Sequence, residues 1–459
     1  MEFACINGFS IIFVNFCSNH AREIQEDAKM NGLATSVICL IVITTLLSIL
    51  AFYSPFPNSF NFSWREEINL NKQASIHPQN VGDDHDVEKC DLFKGKWVRD
   101  PRGPRYTNAS CPTIPTVKDC FMHGRNDRDF LYWRWKPDGC DLPRFEPKAF
   151  FRIVHGKKLA FIGDSLARNQ MESLLCLLSQ EEAPIDVYKD PKDRFRTWFF
   201  PRNNFTLMVL WTKFLVKAVE KEPRVVFNLH LDQVDELWAQ NVSQGHVDFA
   251  IISDSQWYFK KNYLYEGGKL LGCIYCNETD VTEFGVEFAI GKAIQTALRY
   301  INDCKECKGM VTIVRTISPS HFENGTWKTG GICERTQPYT REQAGKLHQQ
   351  GGSKNEEEWK VRNHQMEEVG RAREEVGKGR DMRFEAIDIT SLMLMRPDGH
   401  PGSYWRDKKK KGYNDCVHWC MPGPIDAWND LLLALFSRVV DKGMLRSSSD
   451  RVVRYKEKG

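Results

Sequence analysis

The chain has 459 residues, of which 42% are hydrophobic, enough for a substantial core in one large domain or two ordinary ones. Lys and Arg total 63 against 60 for Asp and Glu, and a formal charge of +3 gives no electrostatic case for a nucleic-acid partner. The basic run Lys408–Lys411 reads as a solvated loop.

Residues 1–32 show no strong period and read as a cytosolic tail. From Leu33 to Phe52 no residue is charged, and at about 1.5 Å per residue this stretch would cross a bilayer core of roughly 30 Å. A transmembrane signal anchor over 33–53 is therefore expected. A cleaved signal peptide fits less well, because Ala51–Pro55 is too bulky for a cleavage site. Six Asn-X-Ser/Thr sequons, at Asn61, Asn108, Asn204, Asn241, Asn277 and Asn324, all follow the apolar span, which places the C-terminal part in a lumen with type II topology. Residues 54–88, rich in Asn, Ser, Pro and acidic groups, suit a luminal stem.

Of the 15 cysteines, Cys5, Cys17 and Cys39 precede or lie within the span, leaving an even number in an oxidising compartment, so disulfides are expected. Cys273-Ile-Tyr-Cys276 and Cys304-Lys-Glu-Cys307 superficially suggest a four-thiolate zinc site. Their separation exceeds the usual ribbon spacing, and no metal is expected.

Residues 89–150 form a segment dense in Cys, Trp, Pro and Gly, with Cys90, Cys111, Cys120 and Cys140, and read as a stapled, loop-rich module. Its rings Trp97, Tyr106, Tyr132, Trp133 and Trp135 suit either sugar stacking or the replacement of a missing aliphatic core, and the core is the better reading for any single ring. Residues 151–440 then alternate short apolar runs with helical stretches. Strands are predicted at Lys158–Ile162, Leu207–Trp211, Arg224–Leu229, Val247–Ile252, Val311–Thr316 and Phe384–Ile389. Helices are predicted at Ala167–Ser179, Phe284–Tyr300 and about Glu356–Val376, with a last one starting near Pro424–Trp428. That order argues an α/β domain with a mainly parallel sheet, followed by a tail over 441–459.

In Phe161-Ile162-Gly163-Asp164-Ser165 a strand runs into a turn and a helix, which presents Ser165 at the C-terminal edge of the sheet near the helix-start amides of Leu166 and Ala167. From these residues alone, a plain helix cap by Asp164 or Ser165 is the better reading. A serine nucleophile needs a base, usually His oriented by a carboxylate. Asp415-Cys-Val-His418 supplies such a pair, three residues apart, in a stretch bracketed by Cys416 and Cys420 and stiffened by Pro422 and Pro424. His230 near Asp232 is the second choice of base. His321 and His400 are candidates for lining a substrate groove, though each alone is better read as a structural, hydrogen-bonding His.

Four segments together resemble the plant trichome birefringence-like family: Cys90-Asp-Leu-Phe-Lys-Gly-Lys-Trp97-Val, Trp133-Arg-Trp-Lys-Pro-Asp-Gly-Cys140-Asp-Leu-Pro-Arg-Phe145, Gly163-Asp-Ser165-Leu-Ala-Arg-Asn169 and Asp415-Cys-Val-His418. The segments Arg315–Trp327 and Met395–Trp405 are most similar to its xyloglucan-acetylating branch. The resemblance covers roughly residues 88–440 and implies a Golgi polysaccharide O-acetyltransferase with an SGNH/GDSL-hydrolase-like fold. It implies Ser165 as nucleophile, His418 as base and Asp415 as its orienter. Gly163, Asp164, Arg168 and Asn169 would support the turn or the oxyanion, with Gln256 and Trp257 toward substrate.

Where relatives usually carry a Gly after the fourth strand, this chain has Ser253-Asp254-Ser255. If the Ser255 amide belongs to the oxyanion hole, the exchange costs conformational ease and rate. No cofactor is expected to stay bound. The acetyl donor, acetyl-CoA or an acetylated carrier, is open, since no Gly-rich nucleotide loop is present. The expected partners are a polysaccharide, the Golgi membrane through one helix, and other membrane proteins of an acetylation pathway. An acetyl esterase and a non-catalytic polysaccharide-binding scaffold are the alternatives.

Overall fold

The computed structural model describes residues 90–439, apart from 224, 328, 349–353, 377–381 and 407–412. The expected tail, membrane span, stem, Asn61 sequon and C-terminal tail lie outside the described residues. Among the described residues no helix is long and apolar enough to cross a membrane.

The elements in chain order are β1 (Gly95–Arg99), β2 (Trp133–Pro137), α1 (Pro147–Val154), β3 (Lys158–Gly163), α2 (Ser165–Ser179), β4 (Ile185–Lys189), β5 (Phe195–Phe200), β6 (Phe205–Trp211), β7 (Val216–Glu222) and β8 (Val226–Val234). They continue with α3 (Glu236–Gly245), β9 (Phe249–Ser253), β10 (Asn262–Glu266), β11 (Lys269–Ile274), α4 (Val286–Asp303), β12 (Val311–Arg315), α5 (Arg341–His348), α6 (Lys354–Glu375), β13 (Arg383–Ile387), α7 (Thr390–Leu394) and α8 (426–439).

The main sheet has the order β13-β12-β9-β3-β6-β5-β4, parallel from β13 to β6 and closed by an antiparallel ribbon. Its central strands β12, β9 and β3 are buried on both faces, and their side chains alternate between two cores. Leu159 and Phe161 of β3 join α2 and α8 in one core, while Ala160 and Ile162 join α3 and α4 in the other. The chain leaves β3 for β6 on one side and later returns as β9 on the other. This order reverses at β3, the switch point where ligands collect in open α/β sheets.

Five of the six predicted strands lie in this sheet. Arg224–Leu229 does not: β8 belongs to a second sheet, β11-β10-β8-β7, which periodicity did not reveal. Six of the seven residues of β7 are exposed, so that strand carries no buried face for a pattern to mark.

The N-terminal module is stapled, as expected, but largely to the rest of the chain. Only Cys90–Cys140 closes within it, while Cys111–Cys176 ties it to α2 and Cys120–Cys420 ties it to the segment before α8. Trp97 and Trp135 are buried edge to face at 5.8 Å, and Tyr106 is buried as well, so these rings form core. The fully buried Arg396–Asp398 pair, with Arg396 4.3 Å over Trp97 and donating to Phe130 O, locks the module to the polypeptide around His400. The sequons at Asn108, Asn204, Asn241, Asn277 and Asn324 are all exposed.

A buried carboxyl joins the same three parts. Asp426 of α8 accepts from Tyr106 Oη at 2.7 Å, Ser173 Oγ at 2.6 Å and the Gly423 amide at 3.2 Å. Burial pushes its pKa up to about 6, against the hydrogen bonds from Ser173 and Tyr106. The folded state therefore binds this proton more tightly than the unfolded chain. The resulting stability is complete below the unfolded value near 3.8 and is lost as pH rises through about 6. Between pH 4 and 7 the wild-type protein should lose stability relative to Asp426→Asn by up to roughly 3 kcal/mol, measured by denaturant unfolding; parallel pH profiles for the two proteins would contradict this.

Candidate active site

Gly163 ends β3 with φ +141°, and a Cβ there would lie 1.8 Å from Ser253 O of β9, so only glycine fits between the strands. The next residue, Asp164, is buried and caps α2 by accepting from the Leu166 amide at 2.9 Å. Its second oxygen accepts from the amides of Ser255 and Gln256 at 3.2 and 3.1 Å. Ser165 is thereby fixed as the first residue of a deeply buried helix. Its own amide has no hydrogen-bond partner among the described residues and points with the helix N-terminus, where developing negative charge is favoured.

From 253 residues further on, His418 brings Nε2 to 2.8 Å from Ser165 Oγ. Its Nδ1 lies 2.8 Å from Asp415 Oδ2, and Asp415 Oδ1 accepts from the amides of Val417 and His418. Because a carboxylate only accepts, Nδ1 carries the ring proton and Nε2 offers its lone pair to the Ser165 hydroxyl. Burial would raise the Asp415 pKa, but His418 and the two amides outweigh it and hold the group down to about 2. Asp415 therefore stays ionised beside the imidazole.

The loop carrying this pair is held on every side. Cys333–Cys416 and Cys120–Cys420 bracket it. Asn169 Oδ1 accepts from the Trp419 amide at 2.9 Å, and Trp419 Nε1 donates to Ser318 Oγ at 3.0 Å. Asn169 thus braces the His418 loop from the helix that carries Ser165. Arg168 turns outward instead, donating to the carbonyls of Asp193 and Arg194 between β4 and β5.

His321 and His400 lie behind the site and do not line the groove. Both are buried, with His321 Nδ1 2.7 Å from His400 Nε2 and His400 Nδ1 2.7 Å from His418 O. Burial, followed by the neighbouring imidazole, pushes His400 well below the ordinary histidine range, so it serves as a brace for the base. His230 is stacked on Tyr265 in the second sheet, and Asp232 holds the Gly267 amide; neither lines the Ser165 cavity.

Ser255 departs from the expected role. Its φ of −161° lies outside the left-handed region that favours glycine, and its amide donates to Asp164 and not into a hole for substrate. The neighbouring Asp254 is buried, its Oδ2 accepts from the Leu215 amide, and burial together with Asp164 raises its pKa well above the ordinary carboxylate value.

Ser165 and His418 open onto a cavity of about 810 Å³. Gln256 and Trp257 lie on its wall. Gln256 donates to Ser318 O, and Lys260 Nζ lies 4.0 Å over the Trp257 ring. Tyr275, Trp327 and Glu357 also line it and were missed in the sequence. Tyr275 lies inside a Cys-x-x-Cys unit that signalled only a disulfide, which it does form, separately from Cys304–Cys307.

Residues 142–435 match the GDSL/SGNH-like acyl-esterase family found in Pmr5 and Cas1p, and residues 88–141 match the PMR5 N-terminal domain. The chain is 50% identical over 397 residues to xyloglucan O-acetyltransferase 3 of Populus trichocarpa, an alignment covering 86% of this chain and 95% of that protein. It is 50% identical over 357 residues to xyloglucan O-acetyltransferase 2 of Arabidopsis thaliana, covering 76% and 83%. Protein trichome birefringence-like 19 of Arabidopsis thaliana is 39% identical over 418 residues, covering 89% and 95%.

The placement of Ser255 has a direct consequence. Since its φ is not in the left-handed region and its amide is engaged by Asp164, Ser255→Gly should change the rate at which Ser165 reacts with an aryl acetate by less than about threefold, whereas restoring a lost oxyanion donor is worth about a hundredfold. Stopped-flow measurement of nitrophenolate release distinguishes the two. In contrast, Asp164→Asn sets an NH2 against the two amides and should destabilise the fold by about 2–3 kcal/mol in denaturant unfolding.

Proposed function

The chain belongs to the plant trichome birefringence-like branch of the GDSL/SGNH-like acyl-esterase family, and from that premise we propose that it is a polysaccharide O-acetyltransferase acting on galactosyl residues of xyloglucan. The observation that carries the mechanism is the unbroken line from Asp415 through both nitrogens of His418 to Ser165 Oγ, with 2.8 Å at each step.

In the first half-reaction His418 Nε2 takes the Ser165 proton as Oγ bonds to the acetyl carbonyl carbon. The carbonyl oxygen becomes an oxyanion facing the unpaired Ser165 amide. The carbon–leaving-group bond then breaks, and the leaving group takes the proton from His418, leaving acetyl-Ser165. In the second half-reaction a sugar hydroxyl gives its proton to His418 while its oxygen attacks the acetyl carbon. The bond to Oγ breaks, and Ser165 recovers the proton. Asp415 stabilises the imidazolium in both steps without taking its proton. The donor is acetyl-CoA or an acetylated carrier.

The proposed setting is the Golgi lumen, with the apolar segment 33–53 as a type II anchor and other acetylation-pathway membrane proteins as neighbours. The paired luminal cysteines and the exposed sequons support this address.

Incubation with an acetyl donor should give a mass increment of one acetyl group on the peptide containing Ser165. Ser165→Ala should lose both that increment and acetyl transfer to xyloglucan oligosaccharide, by a factor of about 10³ or more. Full transfer by Ser165→Ala would exclude the covalent route.

A further inference from the structure

One wall of the Ser165 cavity is built in a way that acyl chemistry does not require. Tyr275 has φ +52°, a left-handed conformation rare for a bulky aromatic residue, and such outliers gather at ligand sites. It is held there between Cys273 and Cys276, which are joined to each other, and Cys273 is anchored by backbone bonds with Thr282 O at 2.9 Å and Phe284 N at 2.8 Å. The residue remains 38% exposed and lines the cavity. Its hydroxyl donates to Glu357 Oε2 of α6 at 3.1 Å. Burial and Glu357 push the phenol's pKa far above its ordinary value, so it remains a donor. Glu357 Oε1 has no hydrogen-bond partner among the described residues, although Glu357 also lines the cavity.

We propose that Tyr275 and Glu357 form the acceptor-sugar subsite, the phenol ring stacking on the apolar face of a neutral pyranose and Glu357 Oε1 accepting hydrogen bonds from its hydroxyls. A carboxylate accepts but does not donate, and it repels other carboxylates, so the subsite selects neutral hexosyl units over uronic acids. It rests on the transfer reading above and determines whether acetyl-Ser165 passes its group to sugar or to water. Trp257 and Trp327, on the same cavity, provide further ring surfaces for a polymer acceptor.

Two measurements on the full-length protein test this. With p-nitrophenyl acetate as donor and a galactosylated xyloglucan oligosaccharide as acceptor, Glu357→Gln and Tyr275→Ala should each raise the acceptor KM about tenfold or more and lower the ratio of acetyl transferred to sugar over acetate released to water. Tyr275→Phe, which keeps the ring and loses the tether, should fall between them and wild type. Acceptor KM within about twofold of wild type in all three variants overturns the subsite.

Direct calorimetric titration of the oligosaccharide into Ser165→Ala separates this from the chemistry. Adding Glu357→Gln should weaken its Kd about tenfold, and an oligogalacturonide should bind at least about tenfold more weakly than the neutral oligosaccharide. Equal binding of the two sugars overturns the selectivity. A protein that forms no acetyl-Ser165 but shows these Kd changes retains the subsite and refutes the transfer reading.

Discussion

The Asp164 carboxylate accepts hydrogen bonds from three backbone amides, Leu166 on its own helix and Ser255 and Gln256 on the loop after β9. These amides would otherwise be unpaired donors at a buried helix start and strand end. One side chain therefore closes the turn that presents Ser165 and orders the opposite lip of the cavity, where Gln256 and Trp257 stand. The arrangement depends in turn on Gly163, because β3 and β9 approach too closely for any Cβ at that position.

In the second half of the site the local anchor is smaller, Asp415 Oδ1 accepting from the amides of Val417 and His418, with no helix or strand behind it. Asp415 and His418 lie in irregular chain, and their positions are imposed by long-range ties: two disulfides, Asn169 from the nucleophile's helix, and His400 from behind. Cys120–Cys420 closes a sequence separation of 300 residues, which in the chain-entropy account contributes about 5 kcal/mol. Arg125 of the N-terminal module donates to the carbonyls of His400 and Asp398, so the module reaches the base through one intermediate residue. It is part of the catalytic framework, which explains why its aromatic rings are spent on packing.

What was legible in the sequence follows from this asymmetry. Strands buried on both faces, such as β3, β9 and β12, announce themselves as apolar runs, and a turn that must hold Gly, Asp and Ser in succession is recognisable as a motif. The second sheet escaped because β7 is solvated along nearly its whole length. Ser255 was misjudged for a different reason: residue type suggests what a backbone position tolerates, but only geometry shows which carboxylate its amide serves. Tyr275 and Glu357 carry no pattern at all, being 82 residues apart and joined only by tertiary contact. The disulfide partners were beyond sequence reasoning for the same reason.

The electrostatics beneath Ser165 complete the constraint. Arg315, at the end of β12, is buried against the Trp428 ring at 4.4 Å and donates to Thr316 O, and burial lowers its pKa to about 10, leaving it cationic at neutral or mildly acidic pH. Asp164 is the charge that acts on it. Were Asp254 ionised as well, two carboxylates would oppose the oxyanion that forms at Ser165. Burial disfavours its ionisation, which leaves Arg315 and Asp164 as the facing pair beneath Ser165. In the acetyl-transfer route proposed above, negative charge developing at the carbonyl would meet the helix start and the Ser165 amide, with ionisation of the nearby Asp254 disfavoured.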